Sequence, residues 1–295
     1  IGNVTADYKV HGFEALKFNL SLGLDMSKYN SYSGVNPGSY QAYSDTENRG
    51  IGQHSKSSNF RRNQVLEFYG NFNKEWGIHH LDLMAGYSWQ HFYSSDHSVT
   101  YFNVTNEQKG DDSRYPYNRQ ESYLVSFYGR INYSIDSRYL FTFTLRDDAS
   151  SRFSPSTRWG LFPSGAFAWN IKEEQFLEDW SPLTQLKLRL SVGQTGQQEI
   201  GSNYPYMAIY NVSSDVYKQY YMGDAGYQFY VTPGAYDPDI KWETTTTYNI
   251  GADFGFFNDR LTGSVDAYLR KTDDLLNSVI VPVGASFGNT VLTNI

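Results

Sequence analysis

The sequence predicts an all-β protein, namely an incomplete antiparallel transmembrane β-barrel that holds about ten strands of a larger wall. Two patterns and one feature of the composition predict this fold. Apolar and polar residues alternate over long segments, short connections alternate with long ones, and the 295 residues include 26 Tyr, 19 Phe and 6 Trp. Most of the alternating segments run for about 9–15 residues, and a tilted strand needs about 9–11 residues to cross a bilayer.

The alternation indicates the strands one by one along the chain. In the segment 15–29, every second residue from Leu16 to Met26 is apolar, and the residues between them, from Lys17 to Asp25, are polar or small. The same period of two recurs in the later segments. It predicts ten strands, at 4–10, 15–29, 63–73, 79–92, 120–134, 139–148, 159–171, 184–195, 243–257 and 261–273.

The connections between these strands are alternately short and long. Outer-membrane barrels have this layout, with tight periplasmic turns and long extracellular loops. Residues 172–183 depart from it, with a short helix expected at 173–179. Tyr and Trp near strand ends fit aromatic girdles at the two membrane interfaces. We therefore expect residues 1–295 to be one partial barrel domain with long extracellular loops near 30–62, 93–119, 196–242 and 274–295.

The composition excludes several other classes of protein. The chain has no Cys, which excludes a disulfide framework and Cys-ligated zinc or iron–sulfur sites. A formal net charge of −7 without a basic run argues against a nucleic-acid partner. The mean hydropathy of −0.56 is compatible with a barrel, because outward apolar and inward polar residues cancel in the average. The first residues contain no Met and no signal sequence, so we expect a longer parent chain.

Three stretches of the second half carry a specific resemblance. They are 145–170, which contains Arg146-Asp-Asp-Ala-Ser-Ser-Arg152, 186–197 and 240–264, and the similarity continues through 268–276. Together they resemble the barrel of the SusC/RagA-family TonB-dependent outer-membrane transporters of Bacteroidetes. The resemblance covers most of residues 120–295 closely, whereas residues 1–119 match only in barrel character.

The resemblance implies a 22-stranded barrel whose plug domain is not in this chain. It also implies active import of oligosaccharides or peptides across the cell outer membrane, with a SusD-like surface lipoprotein as a lid. Energy would come from TonB-ExbB-ExbD through parts absent from these residues. The resemblance implies no enzymatic activity and no cofactor, and the lipid of the outer membrane is the expected surrounding.

The residues of these motifs have mainly structural interpretations. Arg146, Asp148 and Arg152 belong to a cluster of opposite charges at a strand end, and such a network could hold a loop in place. Trp242 stands just before a Thr-rich strand, a position that suits an anchor at the membrane interface.

Two sets of residues are the candidate functional positions. Tyr has a flat apolar face and a terminal hydroxyl, which suits stacking on sugars or contact with a protein partner. The alternative is a loop that packs on itself or at the lipid interface. The candidate tyrosines are Tyr204, Tyr206, Tyr210, Tyr217, Tyr220, Tyr221, Tyr227 and Tyr230. The candidate residues of a polar lumen are Lys17, Asp25, Asp82, Arg130, Lys187, Arg189, Asp253 and Arg270.

Enzymatic and metal-binding patterns are weak. Residues 284–288 match Gly-x-Ser-x-Gly, but that motif needs a strand before it and a helix after it. The carboxylate doublets 111–112, 173–174 and 273–274 are expected to be solvated, although calcium in 111–113 is an alternative. No metal site is predicted. Two other functions stay open: a passive porin-like channel, and a soluble carbohydrate-binding or glycosidase β-protein that would need no detergent.

Overall fold

The computed structural model describes residues 1–44, 49–102, 117–178, 180–212, 219–229, 231–282 and 290–295. Its strands are β1 (Gly2–Lys9), β2 (Leu16–Val35), β3 (Gln53–Trp76), β4 (His79–Phe102), β5 (Asn118–Ile135), β6 (Tyr139–Ser150), β7 (Trp159–Asn170), β8 (Leu183–Gln197), β9 (Tyr210–Val212), β10 (Gln219–Tyr221), β11 (Tyr227–Phe229), β12 (Val231–Pro233), β13 (Glu243–Phe256), β14 (Leu261–Asp273), β15 (Leu276–Ile280) and β16 (Thr290–Asn294).

Ten of these strands form one antiparallel, unclosed sheet within the described ranges. The sheet runs from β1 through β8 and continues with β13 and β14, so that neighbours in the sheet follow one another in the chain. The other strands form three separate two-stranded pairs. The predicted fold class is confirmed, and the ten long strands correspond one by one to the ten predicted from alternation.

By backbone contacts the chain forms two compact units. Unit 1 comprises residues 1–6, 20–67 and 89–123, and unit 2 comprises residues 7–19, 68–88 and 124–295. In unit 1 the long parts of β2, β3 and β4 are rich in polar and aromatic side chains. In unit 2 the alternation of apolar and polar residues is clearest in β8, β13 and β14.

The two faces of the sheet in unit 2 differ sharply in polarity. Paired residues of neighbouring strands lie side by side on the same face, so the register shows whole rows of side chains. Many of the apolar side chains, among them Phe143, Val192 and Leu269, are exposed. One polar row consists of Arg130, Thr144, Ser164, Gly193, Thr247 and Arg270. The adjacent apolar row consists of Ile131, Phe143, Gly165, Val192, Tyr248 and Leu269.

The short connections are tight turns. Asp136 and Ser137 both have positive φ angles, 52° and 54°, and Arg138 N donates to Ile135 O across 3.0 Å. Two consecutive left-handed residues make the type I′ geometry whose twist matches that of the flanking strands. Asp and Ser are polar enough to stand in this exposed turn, and Asp tolerates the left-handed region.

The strands before the long connections extend further than alternation indicates. β2 continues to Val35 and β3 begins at Gln53, so both ends of the segment 30–62 are strand. Hydroxyl pairs join these extensions, for example Ser31 with Ser57 at 2.6 Å. The segment 93–119 changes in the same way, because β4 continues to Phe102 and residues 103–116 lie outside the described ranges. Alternation missed the extensions because both of their faces are largely polar.

The connection from β7 to β8 folds into a 3₁₀ turn (Ile171–Glu173) and the short helix α2 (Gln175–Glu178). Between them, the Glu174 carboxylate accepts hydrogen bonds from Tyr139 Oη at 2.6 Å and Trp169 Nε1 at 2.9 Å. These bonds, the one from Tyr139 first, lower the pKa of Glu174 below its ordinary value. A further short helix, α1 (Tyr40–Tyr43), lies between β2 and β3. Among the described residues, no helix is long and apolar enough to cross a membrane.

The lowered pKa of Glu174 predicts an acid-sensitive turn. Because the folded-state pKa lies below the unfolded value of about 4.3, the stabilisation is fully present above that value. It is lost as the pH falls through the folded-state pKa. We expect the protection factors at Ile171–Glu173 in the full-length protein, which are exchange rates corrected for the intrinsic pH dependence of amide exchange, to fall in this acidic window. In the variant Glu174→Gln, these protection factors should no longer change with pH there. An unchanged acid response in that variant would contradict the assignment.

The open sheet predicts the behaviour of residues 1–295 expressed alone. β1 and β14 are the two ends of the strand order and are not paired with each other. Unpaired edges favour aggregation, and a bilayer tolerates strands only in a closed barrel. We therefore expect no heat-modifiable, closed species on a gel after refolding in detergent. A folded band that shifts on heating would contradict this expectation.

Candidate functional site

A small hydrophobic core lies where the long connections of unit 2 meet the sheet. Its buried members are Phe153, Phe162, Ile240 and Trp242, and Phe153 and Ile240 are 0% exposed. Phe153 comes from the connection between β6 and β7, Phe162 from β7, and the other two from the end of the long connection before β13. The partly buried residues packed against this core are Leu124, Ile200, Tyr206, Leu276 and Leu292.

Two glycines make room for this core. A Cβ added at Gly160 would lie 2.7 Å from the ring of Phe162 and 2.9 Å from the ring of Trp242. A Cβ added at Gly196 would overlap the same Phe162 ring. Both glycines belong to the stretches that carry the family resemblance, so this part of the motif has a packing explanation.

Trp242 has a different role from the predicted one. It is only 6% exposed, its ring packs against Phe153 and Phe162, and its Nε1 donates to Arg158 O at 2.8 Å. The prediction of an interface anchor is therefore wrong. The position of Trp242 just before β13 indicated a membrane interface. It did not show that the preceding connection folds back over the Trp242 ring.

Two arginine networks form in the predicted charge cluster: the Arg146 network lies within β5 and β6, whereas the Arg152 network holds two connections against each other, as predicted. Arg146 donates from Nε to both Asp148 oxygens, at 2.8 and 2.9 Å, and from a terminal nitrogen to Ser126 at 2.9 Å. Arg152 reaches across the connections to Glu199, at 2.8 Å, and to Asn203, at 3.2 Å. The bonds of Arg152 tie the connection after β6 to the beginning of the connection after β8.

The final hairpin, β15 with β16, is fastened to the segment before β13. Asn294 Oδ1 accepts from Lys241 N at 2.9 Å, and its Nδ2 donates to Lys241 O at 3.0 Å and Asp274 O at 2.7 Å. Lys241 Nζ also pairs with Asp274 at 2.8 Å, and Glu243 accepts from Leu276 N at 3.0 Å. One amide side chain thus connects three backbone segments.

The connection between β8 and β13 contains a nested ribbon. β9 pairs with β12, and β10 pairs with β11 between them. Tyr220 and Tyr221 in β10 are 61% and 67% exposed, and Tyr210 in β9 is 65% exposed. Tyr206 packs against the hydrophobic core, and Tyr204 is half-buried. Tyr217 and Tyr230 lie outside the described residues, and the Tyr227 side chain does too.

The structure places the predicted lumen residues on the polar face. Arg130 and Arg270 share one row, and Lys187 stands opposite Asp253. Arg189 joins two strands, through Asp253 at 2.8 and 2.9 Å and Asp266 at 3.1 Å. Sequence reasoning missed Asp266 as a partner, because register rather than composition brings it there. That this face lines a lumen stays a prediction.

The other predicted polar positions occupy the first strands. The Asp82 carboxylate accepts from the amides of Asn71, Asn73 and Asn132, at 3.1–3.3 Å. Lys17 and Asp25 occupy polar positions of β2, and Lys17 is exposed. Asn and Asp in one row form a hydrogen-bonded polar ladder rather than a set of isolated charges.

No group of three His, Asp or Glu side chains within the described ranges could hold a metal ion. Of the carboxylate doublets, Glu174 bonds to Tyr139 and Trp169, while Asp273 pairs with Lys271 and Asp274 with Lys241. The doublet 111–112 and the motif 284–288 lie outside the described residues.

A wall of long antiparallel strands, apolar on one face and polar on the other and joined by alternately tight and elaborate connections, is the class of structure built by outer-membrane barrels. The comparison with protein families agrees: the family described as TonB dependent receptor-like, beta-barrel matches residues 2–295. The chain therefore belongs to the TonB-dependent receptor β-barrel family, and its location is the outer membrane.

Similar proteins support the predicted resemblance. The chain is 41% identical over 300 positions to the TonB-dependent receptor SusC of Bacteroides thetaiotaomicron, with all of this chain and 29% of that receptor covered. A TonB-dependent receptor of Formosa agariphila is 37% identical, with 72% of this chain and 22% of that receptor covered. The chain thus spans less than a third of the length of these relatives.

Among solved structures, the RagAB peptide transporter shares the fold. Its TM-score is 0.82 at 23% identity, over 99% of this chain and 32% of that chain. The SusC/RagA resemblance is confirmed by these similarities. The family consists of receptors and transporters rather than enzymes, in agreement with the prediction that the chain is not an enzyme.

The packing around Gly196 predicts the effect of one added methyl group. Gly196→Ala should destabilise the full-length protein by about 1–3 kcal/mol, because the added Cβ would overlap the Phe162 ring, which packs against Trp242. The readout is the urea midpoint of the heat-modifiable band. Gly165→Ala is the matched control, since an added Cβ there meets nothing within 4 Å. Equal effects of the two substitutions would contradict this account.

Proposed function

We propose that these residues form part of the wall and the extracellular connections of a TonB-dependent importer. The observation that carries the proposal is the braced group of connections at one end of a two-faced sheet. The similarity to SusC over the whole chain supports the same function. Energy would be supplied by TonB-ExbB-ExbD, acting through other parts of the protein.

The substrate class of the proposal is an oligosaccharide or a peptide. Of the two receptors named above, SusC has the higher identity to this chain, and the match covers the whole chain. The RagAB structure is of a peptide transporter. The polar face offers both charges and amides, including Arg130, Arg270 and Asn249. Such a face can hydrogen-bond sugar hydroxyls and peptide groups alike. We therefore assign the choice between the two substrates to the extracellular connections.

The nested ribbon is the proposed contact for substrate or for a SusD-like lid. Tyr220 and Tyr221 are exposed beside each other, and Met222 follows them at 60% exposure. Exposed aromatic and Met side chains are enriched at protein interfaces and suit stacking on sugar rings. The core of Phe153, Phe162, Ile240 and Trp242 gives the connection that bears the ribbon a firm base.

A ribbon variant tests the proposal in cells that carry the full-length protein. Substituting both Tyr220 and Tyr221 by Ser should weaken lid or substrate binding by about 1–2 kcal/mol for each lost aromatic contact. The measurements are uptake of labelled oligosaccharides and of labelled peptides, and co-purification of the lipoprotein. Tyr248→Ser is the control, because Tyr248 is exposed on the apolar face of the sheet. Unchanged uptake and co-purification in the ribbon variant would overturn the assignment.

The passive porin alternative makes an opposite prediction. Uptake through a TonB-dependent importer stops when TonB is deleted, whereas diffusion through a porin continues. We expect uptake of the labelled substrate to fall to background in the TonB deletion strain. Uptake that persists there at the wild-type rate would favour the porin. A fully soluble full-length protein without detergent would favour the carbohydrate-binding or glycosidase alternative.

A further inference from the structure

One face of the sheet in unit 1 carries cations and aromatic rings, whereas the apolar face in unit 2 carries mainly apolar side chains. We call this face of unit 1 the outward face. Side-chain contacts between β3 and β4 fall into two alternating sets. Asn59 contacts Asp96 and Ser55 contacts Thr100 on one face, so Arg62 with Tyr93 and His54 with Tyr101 lie on the other. The second face is the one that carries Trp89, Tyr123 and the exposed Leu22 and Leu24 of β2.

Cations and aromatic rings alternate over this outward face. Arg62 lies 5.4 Å from the ring centre of Tyr93, Lys56 lies 5.9 Å from that of Tyr101, and Arg119 lies 5.2 Å from that of Tyr117. Three His rings stack on Tyr rings in the same region. They are His54 on Tyr101, His91 on Tyr123 and His97 on Tyr117.

The charge of this face is opposite to that of the chain. Its outward positions on β3, β4 and β5 carry three permanent cations, Lys56, Arg62 and Arg119. The outward positions of these three strands also carry one acidic residue, Glu121. Its carboxylate already bonds to His91 at 3.2 Å and to the Tyr123 hydroxyl at 3.3 Å. The whole chain, in contrast, has a net charge of −7. A local excess of cations selects anionic ligands.

An apolar groove adjoins the cations. It has a volume of about 480 Å³, and it is lined by Val4, Leu22, Leu24, Leu66 and Trp89, with Gln64 at its polar edge. Arg62 is two residues from Gln64 on the same face of β3, a separation of about 6.6 Å along a strand. A groove for a hydrocarbon chain and a guanidinium therefore lie within the length of one lipid.

Arg62 itself has unused hydrogen-bonding capacity. Its Nε is buried and makes no hydrogen bond within the described part of the chain. A guanidinium next to an aromatic ring is well suited to bidentate contact with phosphate oxygens. An amphiphilic anion would place its hydrocarbon chain in the groove. Its charged group would then accept a hydrogen bond from Arg62 and lie near the surrounding cations.

We propose that this outward face binds a phosphate-bearing lipid of the outer leaflet, with one acyl chain in the groove and the phosphate against Arg62. The outer-membrane location puts such lipids beside the face. Lys56 and Arg119 lie further along the same face and attract the remaining anionic headgroups. This site is distinct from the polar face and from the ribbon, so it does not rest on the identity of the imported substrate.

Native mass spectrometry of the full-length protein in detergent tests the proposal, with lipid A as the probe. Wild-type protein should retain one lipid A molecule at concentrations where Arg62→Gln retains about tenfold less, because charge-assisted hydrogen bonds are lost. Arg61→Gln is the matched control. It removes the same charge from the next position of β3, which points to the opposite face, and retention should be unchanged.

Three further arms identify the bound group. Lipid A without its phosphates should bind about tenfold less than the intact lipid, and inorganic phosphate alone should not displace the intact lipid. Val4→Trp, which fills the groove from β1, should also lower retention while the heat-modifiable band remains. Equal retention by Arg62→Gln and wild type, equal binding of both lipids, or displacement by inorganic phosphate would each overturn the proposal.

Discussion

The structure depends on the ladder of backbone hydrogen bonds between antiparallel strands. Inside a bilayer no water is present to satisfy a free N–H or C=O, so each strand must pair along its whole membrane-crossing length. The ladder in turn fixes the faces, because successive side chains point to opposite sides. It places Phe141 opposite Phe167 on the apolar side and Thr142 opposite Asn132 on the polar side. The composition, exposure and charge of each face of the sheet follow from this requirement for strand pairing.

A single membrane-spanning sheet does not enclose a central hydrophobic core. In unit 2, the buried hydrophobic side chains pack together at the connections instead. Phe153, Phe162, Ile240 and Trp242 are buried where the long connections meet the sheet. The Arg146 and Arg152 networks stand around the same region. Rigid connections limit the entropy that must be lost when a ligand or partner binds. The part of the molecule that resembles a soluble domain is therefore the part to which we assign recognition.

Alternation predicted the ten strands because their faces meet different solvents, as Leu16–Met26 illustrates. It did not predict that β2 continues to Val35, since both faces of residues 27–35 carry polar side chains and Tyr, as Ser31 and Tyr32 illustrate. Trp242 shows a second limit: its burial depends on Phe153, which is 89 residues away in the chain. The pairing of Arg189 with Asp266 depends on register in the same way. Local pattern determines the strands, whereas long-range contacts determine the site.

The nesting of β10 and β11 inside β9 and β12 has a consequence for how such proteins diversify. Because Tyr210 is paired with Pro233, the ribbon enters and leaves the molecule at one point. The chain between those two residues can be lengthened, shortened or replaced without changing the register of any strand in the wall. Loop-closure entropy grows only slowly with length, so the change costs little folding free energy. The ribbon is thus a separable insertion, joined to the rest of unit 2 where Tyr210 pairs with Pro233.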